Sequence, residues 1–117
     1  MKKTEISFSE NQLTIIEKAS VSIFRYTDII GVFCEHPYLK IETINKNRKL
    51  FFHSLKEIEK LLPFPFVMCN RSAIINLLHL IQIKTENSNC YIHLNNGQKI
   101  SVSRRKKNEL MEKIKQL

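Results

Sequence analysis

From Leu13 to Ser103, the apolar residues of this chain come in short runs of strand length and seldom recur at helical spacing. Apolar runs of about four to eight residues that are bounded by turn-forming residues are typical of β-strands. The first half of the chain therefore predicts strands at residues 13–17, 21–26, 28–34, 38–44 and 49–54. Asparagines in the next-to-last gap favour a turn that folds the fourth of these strands back onto the fifth.

The second half of the chain continues the β pattern. Residues 66–85 are apolar apart from a polar interruption at residues 70–72. Residues 90–94 and 98–103 flank Asn95-Asn96-Gly97, and an Asn-Gly pair accepts the positive φ angles of a type I′ turn. These two segments therefore predict a β-hairpin.

Two segments do have helical spacing. Ser54 and Glu57 form a capping-box pattern at the start of residues 54–62, and Pro63 ends that helix because proline has no backbone N–H. A second helix is predicted after Ser103, at residues 104–117. The apolar positions on the two helices are Leu55, Ile58, Leu61 and Leu62, followed by Leu110, Met111, Ile114 and Leu117.

These elements predict a mainly β protein of antiparallel sheets, with a short mid-chain helix and a C-terminal helix. No repeat, low-complexity tract or Ser/Gly-rich linker divides the 117 residues. We therefore expect one domain over residues 13–117, after an N-terminal arm at residues 1–12. A chain of this length can bury about two thirds of its unfolded surface, so it can fold without a metal or a disulfide.

The balance of charge favours an anionic partner. Nineteen Lys and Arg residues against eleven Asp and Glu residues leave a net charge of +8. The longest run without polar residues, at residues 61–69, is too short to span a membrane, and the N-terminus lacks the apolar core of a signal peptide. We therefore expect a cytoplasmic protein that does not associate with membranes.

The cysteines and histidines raise the alternative of a zinc site. Cys34, His36, Cys90 and His93 could supply four ligands, but positions 90 and 93 of a strand point to opposite faces of a sheet. The three cysteines, Cys69 included, instead fit buried free thiols in a reducing compartment. We predict no metal and no cofactor, and two scattered glycines exclude a Gly-rich nucleotide loop.

A basic RNA-binding protein or a nuclease is the main alternative from another class, because a histidine can act as general base on RNA. No paired motif singles out one of the four histidines. Single-strand binders also expose aromatic side chains for stacking. Phe51, Phe52, Phe64 and Phe66 lie in apolar runs and are expected in the core. A module whose basic face meets an acidic protein is a third possibility.

Two placements of cationic residues point to nucleic acid. Four consecutive cations, Arg104, Arg105, Lys106 and Lys107, occupy the first turn of the last helix, where the helix dipole disfavours positive charge. Arginines beside the free amides of a helix start form a phosphate-binding arrangement. Arg71 lies in the polar interruption of an apolar stretch and could offer its donor fork to a base edge or a phosphate. A structural ion pair with a nearby carboxylate is the alternative role for Arg71.

These residues together resemble the LytTR DNA-binding domain of bacterial transcription regulators, over roughly residues 13–117. The resemblance implies antiparallel sheets whose loops enter successive grooves of double-stranded DNA, in place of a recognition helix. The most specific matches are Cys69, Arg71, Ser72 and Asn76 in the middle of the chain, and Asn96-Gly97 through Ser103-Arg104-Arg105 near its end.

The resemblance also implies which residues contact DNA. Base contacts fall on Arg71 and Arg104, with a third contact near His36 and Tyr38. The other predicted contact residues are Asn70, Ser72, Arg105, Lys106 and Lys107. Charge, rather than the resemblance, predicts that residues 104–107 and Lys99 contact backbone phosphates. In the family, His is common where Asn70 stands.

The predicted protein is therefore a non-catalytic, sequence-specific regulator of transcription. Its predicted partner is double-stranded DNA, and a homodimer on repeated half-sites is left open. The sequence also leaves open whether the regulator stands alone or follows a receiver domain.

Overall fold

A computed structural model describes residues 2–117, and within them eleven strands and two α-helices are present. The helices are α1 (Leu55–Leu61) and α2 (Arg104–Ile114). The strands are β1 (Glu5–Phe8), β2 (Gln12–Ile16), β3 (Val21–Arg25), β4 (Ile29–Glu35), β5 (Tyr38–Thr43), β6 (Arg48–Phe51), β7 (Phe66–Asn70), β8 (Ala73–Asn76), β9 (Leu80–Glu86), β10 (Asn89–Leu94) and β11 (Lys99–Val102).

The strands form three antiparallel sheets. The first sheet contains β1, β2 and β3, and the third contains β11, β10 and β9. The central sheet has five strands in the order β6-β5-β4-β8-β7. Within it, β5 folds back on β6 with Leu39 opposite Phe51, as the asparagine-rich gap predicts. The predicted fold class, mainly β with antiparallel sheets and two helices, is confirmed.

The central sheet is covered on both faces, which explains why its strands are continuous apolar runs rather than alternating ones. In β7, Phe66 and Met68 point into one core, whereas Val67 and Cys69 point into the other. The first core lies between the central sheet, the first sheet and α1. The second core lies between the central sheet, the third sheet and α2.

Strand β1 falls within the segment that was expected to form an arm. It pairs with β2 so that Ile6 lies opposite Ile15, and both Ile6 and Phe8 pack against the first core. Residues 5–8 are therefore part of the first sheet rather than a loose arm. An apolar alternation over only four residues is too short to identify a strand without the strand that it pairs with.

Helix α1 begins where the sequence predicts. Ser54 Oγ accepts a hydrogen bond from the N–H of Glu57 at 3.4 Å, but the carboxylate of Glu57 pairs with Lys3 instead of completing the capping box. Ile58 is buried in the first core, whereas Leu61 is 54% exposed and does not share the predicted apolar face.

Helix α2 also begins at the predicted residue, but its apolar face is narrower than expected. Leu110 is buried and Ile114 packs against the second core. Met111 is exposed because it lies about 100° around the helix from Leu110, and Leu117 is exposed because the helix ends at Ile114. No helix within residues 2–117 has the length and apolar character to cross a membrane.

The prediction of a type I′ turn at Asn96-Gly97 is wrong. The N–H of Gly97 donates to the Leu94 carbonyl at 3.0 Å, and Gly97 has a φ of 90° whereas Asn96 has no positive φ. This is a three-residue hairpin loop with glycine in the left-handed position. The turn between β9 and β10 instead has the two positive φ angles that type I′ requires, 49° at Asn87 and 69° at Ser88.

The phenylalanines are mostly placed as expected. Phe51 and Phe66 are buried and Phe52 is half-buried, but Phe64 is 46% exposed. Phe64 lies between Pro63 and Pro65 in the connection from α1 to β7, outside any strand that would direct it inward.

Candidate nucleic-acid interface

Three segments that carry predicted site residues meet at one groove of about 640 Å³. Six of the nine predicted residues line this groove. They are His36 and Tyr38 from the β4–β5 loop and its end, Asn70 and Arg71 from the β7–β8 turn, and Arg105 and Lys106 from the first turn of α2. Ser72, Arg104 and Lys107 are exposed neighbours of these residues and do not line the groove.

Strand order brings these segments together. Strand β4 pairs with β5 on one side and with β8 on the other, so its end lies beside both connections. The N–H of Cys34 donates to the Ser72 carbonyl at 2.9 Å. On the other side of the turn, the N–H of Ser103 donates to the Cys69 carbonyl at 2.9 Å. Two main-chain hydrogen bonds thus hold the turn to β4 and to the start of α2.

The groove has an apolar floor and a cationic rim. Leu39, Leu55 and Met68 are buried side chains that belong to the first core. Among the lining residues, one carboxylate, that of Glu59, stands against four Lys and Arg side chains. The potential in this groove is therefore positive and attracts anions. The four cationic residues are Lys56, Arg71, Arg105 and Lys106.

The side chain of Arg71 is exposed, and it forms neither an ion pair nor a hydrogen bond with residues 2–117. The structural ion pair considered for this residue is therefore not formed. Its main chain, by contrast, lies in a short turn between two buried strands, with Asn70 paired to Ala73. A mobile donor fork on a fixed backbone is suited to meeting a base edge or a phosphate.

The first turn of α2 is strongly cationic and carries no acidic residue. Lys106 is already engaged, because its ammonium group lies 3.7 Å from a carboxylate oxygen of Glu59 and 3.8 Å from one of Glu109. Arg104, Arg105 and Lys107 are exposed and form no ion pair within the described part of the chain. Three of the four cations are thus free to meet an anion.

Asn70 is a predicted site residue whose side chain is used within the protein. Its Oδ1 accepts a hydrogen bond from the N–H of Ser72 at 2.7 Å, and its Nδ2 donates to the Ser101 carbonyl at 2.7 Å. The residue is half-buried. The bond to Ser101 joins the β7–β8 turn to β11, and the bond to Ser72 lies within the turn.

The third segment, around His36, presents exposed side chains. His36 and Pro37 connect β4 to β5, and Tyr38 is the first residue of β5, where the predicted strand at residues 38–44 also begins, and pairs with Glu35. Tyr38 is 37% exposed at the edge of the groove.

The thiols are placed as predicted for Cys69 and Cys90, which are buried, whereas Cys34 is only half-buried in the groove. Burial raises the pKa of the Cys34 thiol. Burial, and then the neighbouring Cys90, raise the pKa of Cys69 to about 12. Thiols with raised pKa values are poor nucleophiles and poor metal ligands. Within residues 2–117 no three His, Cys, Asp or Glu side chains are grouped as a metal site.

Two groove-lining residues near the start of α1 were not predicted from the sequence. They are His53, just before the N-cap Ser54, and Lys56, in the first turn of the helix; Leu55 between them also lines the groove and belongs to the first core. The available signal was the exposed position of Lys56 beside the buried stripe of the helix. Lys99, which was expected on a phosphate, lies instead on the third sheet, 3.4 Å from Glu86 and 4.2 Å from the ring of Tyr91.

Comparison with known proteins adds two findings. The chain matches the family model of the LytTr DNA-binding domain over residues 19–115. Its structure is similar to the LytTr DNA-binding domain of a protein described as a methyl-accepting/DNA response regulator from Bacillus cereus, with a TM-score of 0.76 and 19% sequence identity. That similarity covers 91% of this chain and 98% of the other and shows the same fold. A search of curated proteins gave no match.

Proposed function

The chain belongs to the LytTR family of DNA-binding domains, and from this premise we propose that it recognises specific sequences in double-stranded DNA and regulates transcription. One observation carries the proposal: three cationic or polar segments, distant in sequence, converge on one positively charged groove whose arginines are free of ion pairs. Exposed cations that are not neutralised within the protein attract a polyanion, and their contacts with phosphates release the counterions of DNA.

Loops and turns are proposed to read the bases. Arg71 is the main candidate, because its turn is anchored at both ends and a bidentate guanidinium contact to guanine needs a fixed approach. Arg104 is the second candidate, at the junction between β11 and α2. The His36–Tyr38 segment, which also lines the groove, is the third.

Phosphate contacts are assigned to the remaining free cations. Arg105 and Lys107 lie in the first turn of α2, and Lys56 extends the cationic rim along α1. Lys106 contributes less as a direct contact, because its ammonium group is shared between two carboxylates. Such contacts hold the protein on DNA and carry no sequence information.

The proposed role is non-catalytic. Of the four histidines, His79 contacts the Thr27 carbonyl at 2.9 Å, and His53 Nδ1 accepts a hydrogen bond from the N–H of Ser54 at 2.9 Å. His36 is exposed at the groove, and no side-chain hydrogen bond within residues 2–117 orients it as a general base. His93 Nε2 is buried without a partner in the described residues. The described role of the similar Bacillus cereus protein, a response regulator, supports transcription as the process.

Selection of duplexes from a random pool tests the proposal. We expect one sequence family to be enriched, and paired half-sites at constant spacing would indicate two bound copies. Affinity for the enriched duplex should fall steeply with salt, with a log–log slope of about −0.9 for each phosphate engaged. Lys84→Ala, an exposed lysine on β9 away from the groove, is the matched control and should leave the slope unchanged. No enrichment together with a slope near zero would refute DNA binding at this groove.

A further inference from the structure

Asn70 forms the link between the two arginines that are proposed to read DNA. Its Nδ2 donates to the Ser101 carbonyl at 2.7 Å and lies 3.5 Å from Ser101 Oγ, while its Oδ1 accepts from the N–H of Ser72 at 2.7 Å. The partners settle the orientation of the amide, because a backbone N–H requires the oxygen and a carbonyl requires the NH₂ group.

The same two contacts remove Asn70 from base reading. An asparagine reads adenine by presenting Oδ1 and Nδ2 together to one base edge. Here both atoms already have partners within the protein, at short distances. Turning the amide away from Ser101 and Ser72 to face a base edge would break both bonds and leave the Ser101 carbonyl and the Ser72 N–H without these partners.

The bonds of Asn70 act on the backbone of Arg71 from two directions. The bond to Ser72 closes a local turn around Arg71. The bond to Ser101 ties that turn to β11, three residues before Arg104. The hydrogen bond between Cys69 and Ser103 runs beside it, so the connection between the two arginine-bearing segments has two adjacent bonds.

We propose that Asn70 is a positioning residue, which sets the place of Arg71 relative to Arg104 and thereby determines sequence specificity without touching the DNA. This inference rests on the proposed function. Loss of the Ser101 bond leaves only the Cys69–Ser103 bond between this turn and the start of α2, so the turn moves more and the Arg71 guanidinium meets its base less often in a bidentate geometry. Phosphate contacts tolerate this movement of the turn, because flexible Lys and Arg side chains can reach phosphates anywhere along the DNA backbone.

The test compares variants on two duplexes: the one that the wild-type protein enriches from a random pool, and a random-sequence duplex of the same length. Asn70→Ala removes both bonds. Asn70→Ser keeps a side-chain oxygen that can accept from the Ser72 N–H, but the serine side chain is too short to reach β11. Asn96→Ala is the matched control, because Asn96 Oδ1 likewise accepts from the N–H two residues further on, at Gln98, while Asn96 makes no side-chain bond to another segment.

Asn70→Ala and Asn70→Ser should both lose about tenfold in affinity for the enriched duplex and less than about twofold for the random one. Asn96→Ala should bind both duplexes like the wild type. In the Arg71→Ala background, Asn70→Ala should have little further effect, since the two residues act as one unit. If Asn70→Ala fails to fold, Asn70→Ser, in the same cycle with Arg71→Ala, decides the matter.

Three results would overturn the inference. Wild-type affinity in the folded Asn70 variants would show that no positioning is needed, and equal loss on both duplexes would make Asn70 a phosphate contact. If Asn70→Ala lowers the affinity by the same factor in the Arg71→Ala background as in the wild type, Asn70 is a separate DNA contact. If the wild type itself enriches no duplex, the proposed function fails; if it does and only the Asn70 variants behave otherwise, this inference alone fails.

Discussion

The backbone N–H of Ser103 donates to the carbonyl oxygen of Cys69 over 2.9 Å. Cys69 lies two residues before Arg71 in a buried strand, and Ser103 lies immediately before Arg104. Each arginine is thus separated from this bond by at most two residues. The spacing between the backbones of the two arginines is consequently set by the packed core of the domain, and a fixed backbone lets their side chains discriminate base edges.

Arg71 and Lys107 should have different effects on DNA binding. Arg71→Ala should cost about 1–3 kcal/mol on the enriched duplex and much less on a random one, because a bidentate base contact is lost. Lys107→Ala should weaken both duplexes alike and reduce the log–log salt slope by about one. Anisotropy titrations at several salt concentrations measure both quantities. Equal losses on the two duplexes for a folded Arg71→Ala variant would leave base reading to Arg104 and the His36–Tyr38 segment.

Helix α1 should contribute to stability through one side chain. Ile58 is 1% exposed in the first core, so Ile58→Ala should lower the free energy of unfolding by about 2–5 kcal/mol. Leu61→Ala on the same helix is the control, with a change within about 0.5 kcal/mol because Leu61 is exposed. Urea unfolding measures both. An unchanged midpoint for Ile58→Ala with loss of DNA binding would make α1 a recognition element instead.

The turn between β9 and β10 should be improved by glycine. Ser88 has a φ of 69°, a left-handed conformation that glycine adopts without the steric cost of a Cβ atom. Ser88→Gly should therefore raise the free energy of unfolding by about 0.5–1 kcal/mol. Asn96→Gly, at a turn position without a positive φ, should give no such gain. Thermal unfolding measures both changes. An equal change in the unfolding free energy of the two variants would contradict this explanation.

Stability at high pH should depend on Cys69. Its pKa is about 12 in the folded protein, against 9.0 for an ordinary thiol. As the pH rises, the Cys69 thiol therefore ionises at a lower pH in the unfolded chain than in the folded protein. The folded state consequently loses stability as the pH rises from about 9 towards 12. Cys69→Ala lacks the group, so the difference in unfolding free energy between wild type and variant should shrink by about 1 kcal/mol between about pH 8 and pH 10. A difference that stays constant over that range would show that the thiol does not ionise on unfolding.

Local patterns in the sequence were sufficient for most of the fold. The position of α1 followed from Ser54 and Pro63, and the positions of the strands followed from apolar runs between turn residues. These signals act over a few residues, so they can be read without knowing the rest of the structure. The turn at Asn96-Gly97 was located correctly but not its type, because loop length depends on the register of the paired strands.

The sequence by itself determined which residues are candidates for DNA contact, since Arg71 and the cations from Arg104 stand in polar breaks of an apolar pattern. Only the tertiary structure decided which of them share a surface and which are free. Lys106 meets Glu59 and Asn70 meets Ser101 because the order of strands in the central sheet and the packing of both helices bring distant segments together. That order is set by burying two cores at once, and contacts between residues far apart in the chain leave no local pattern from which to infer them.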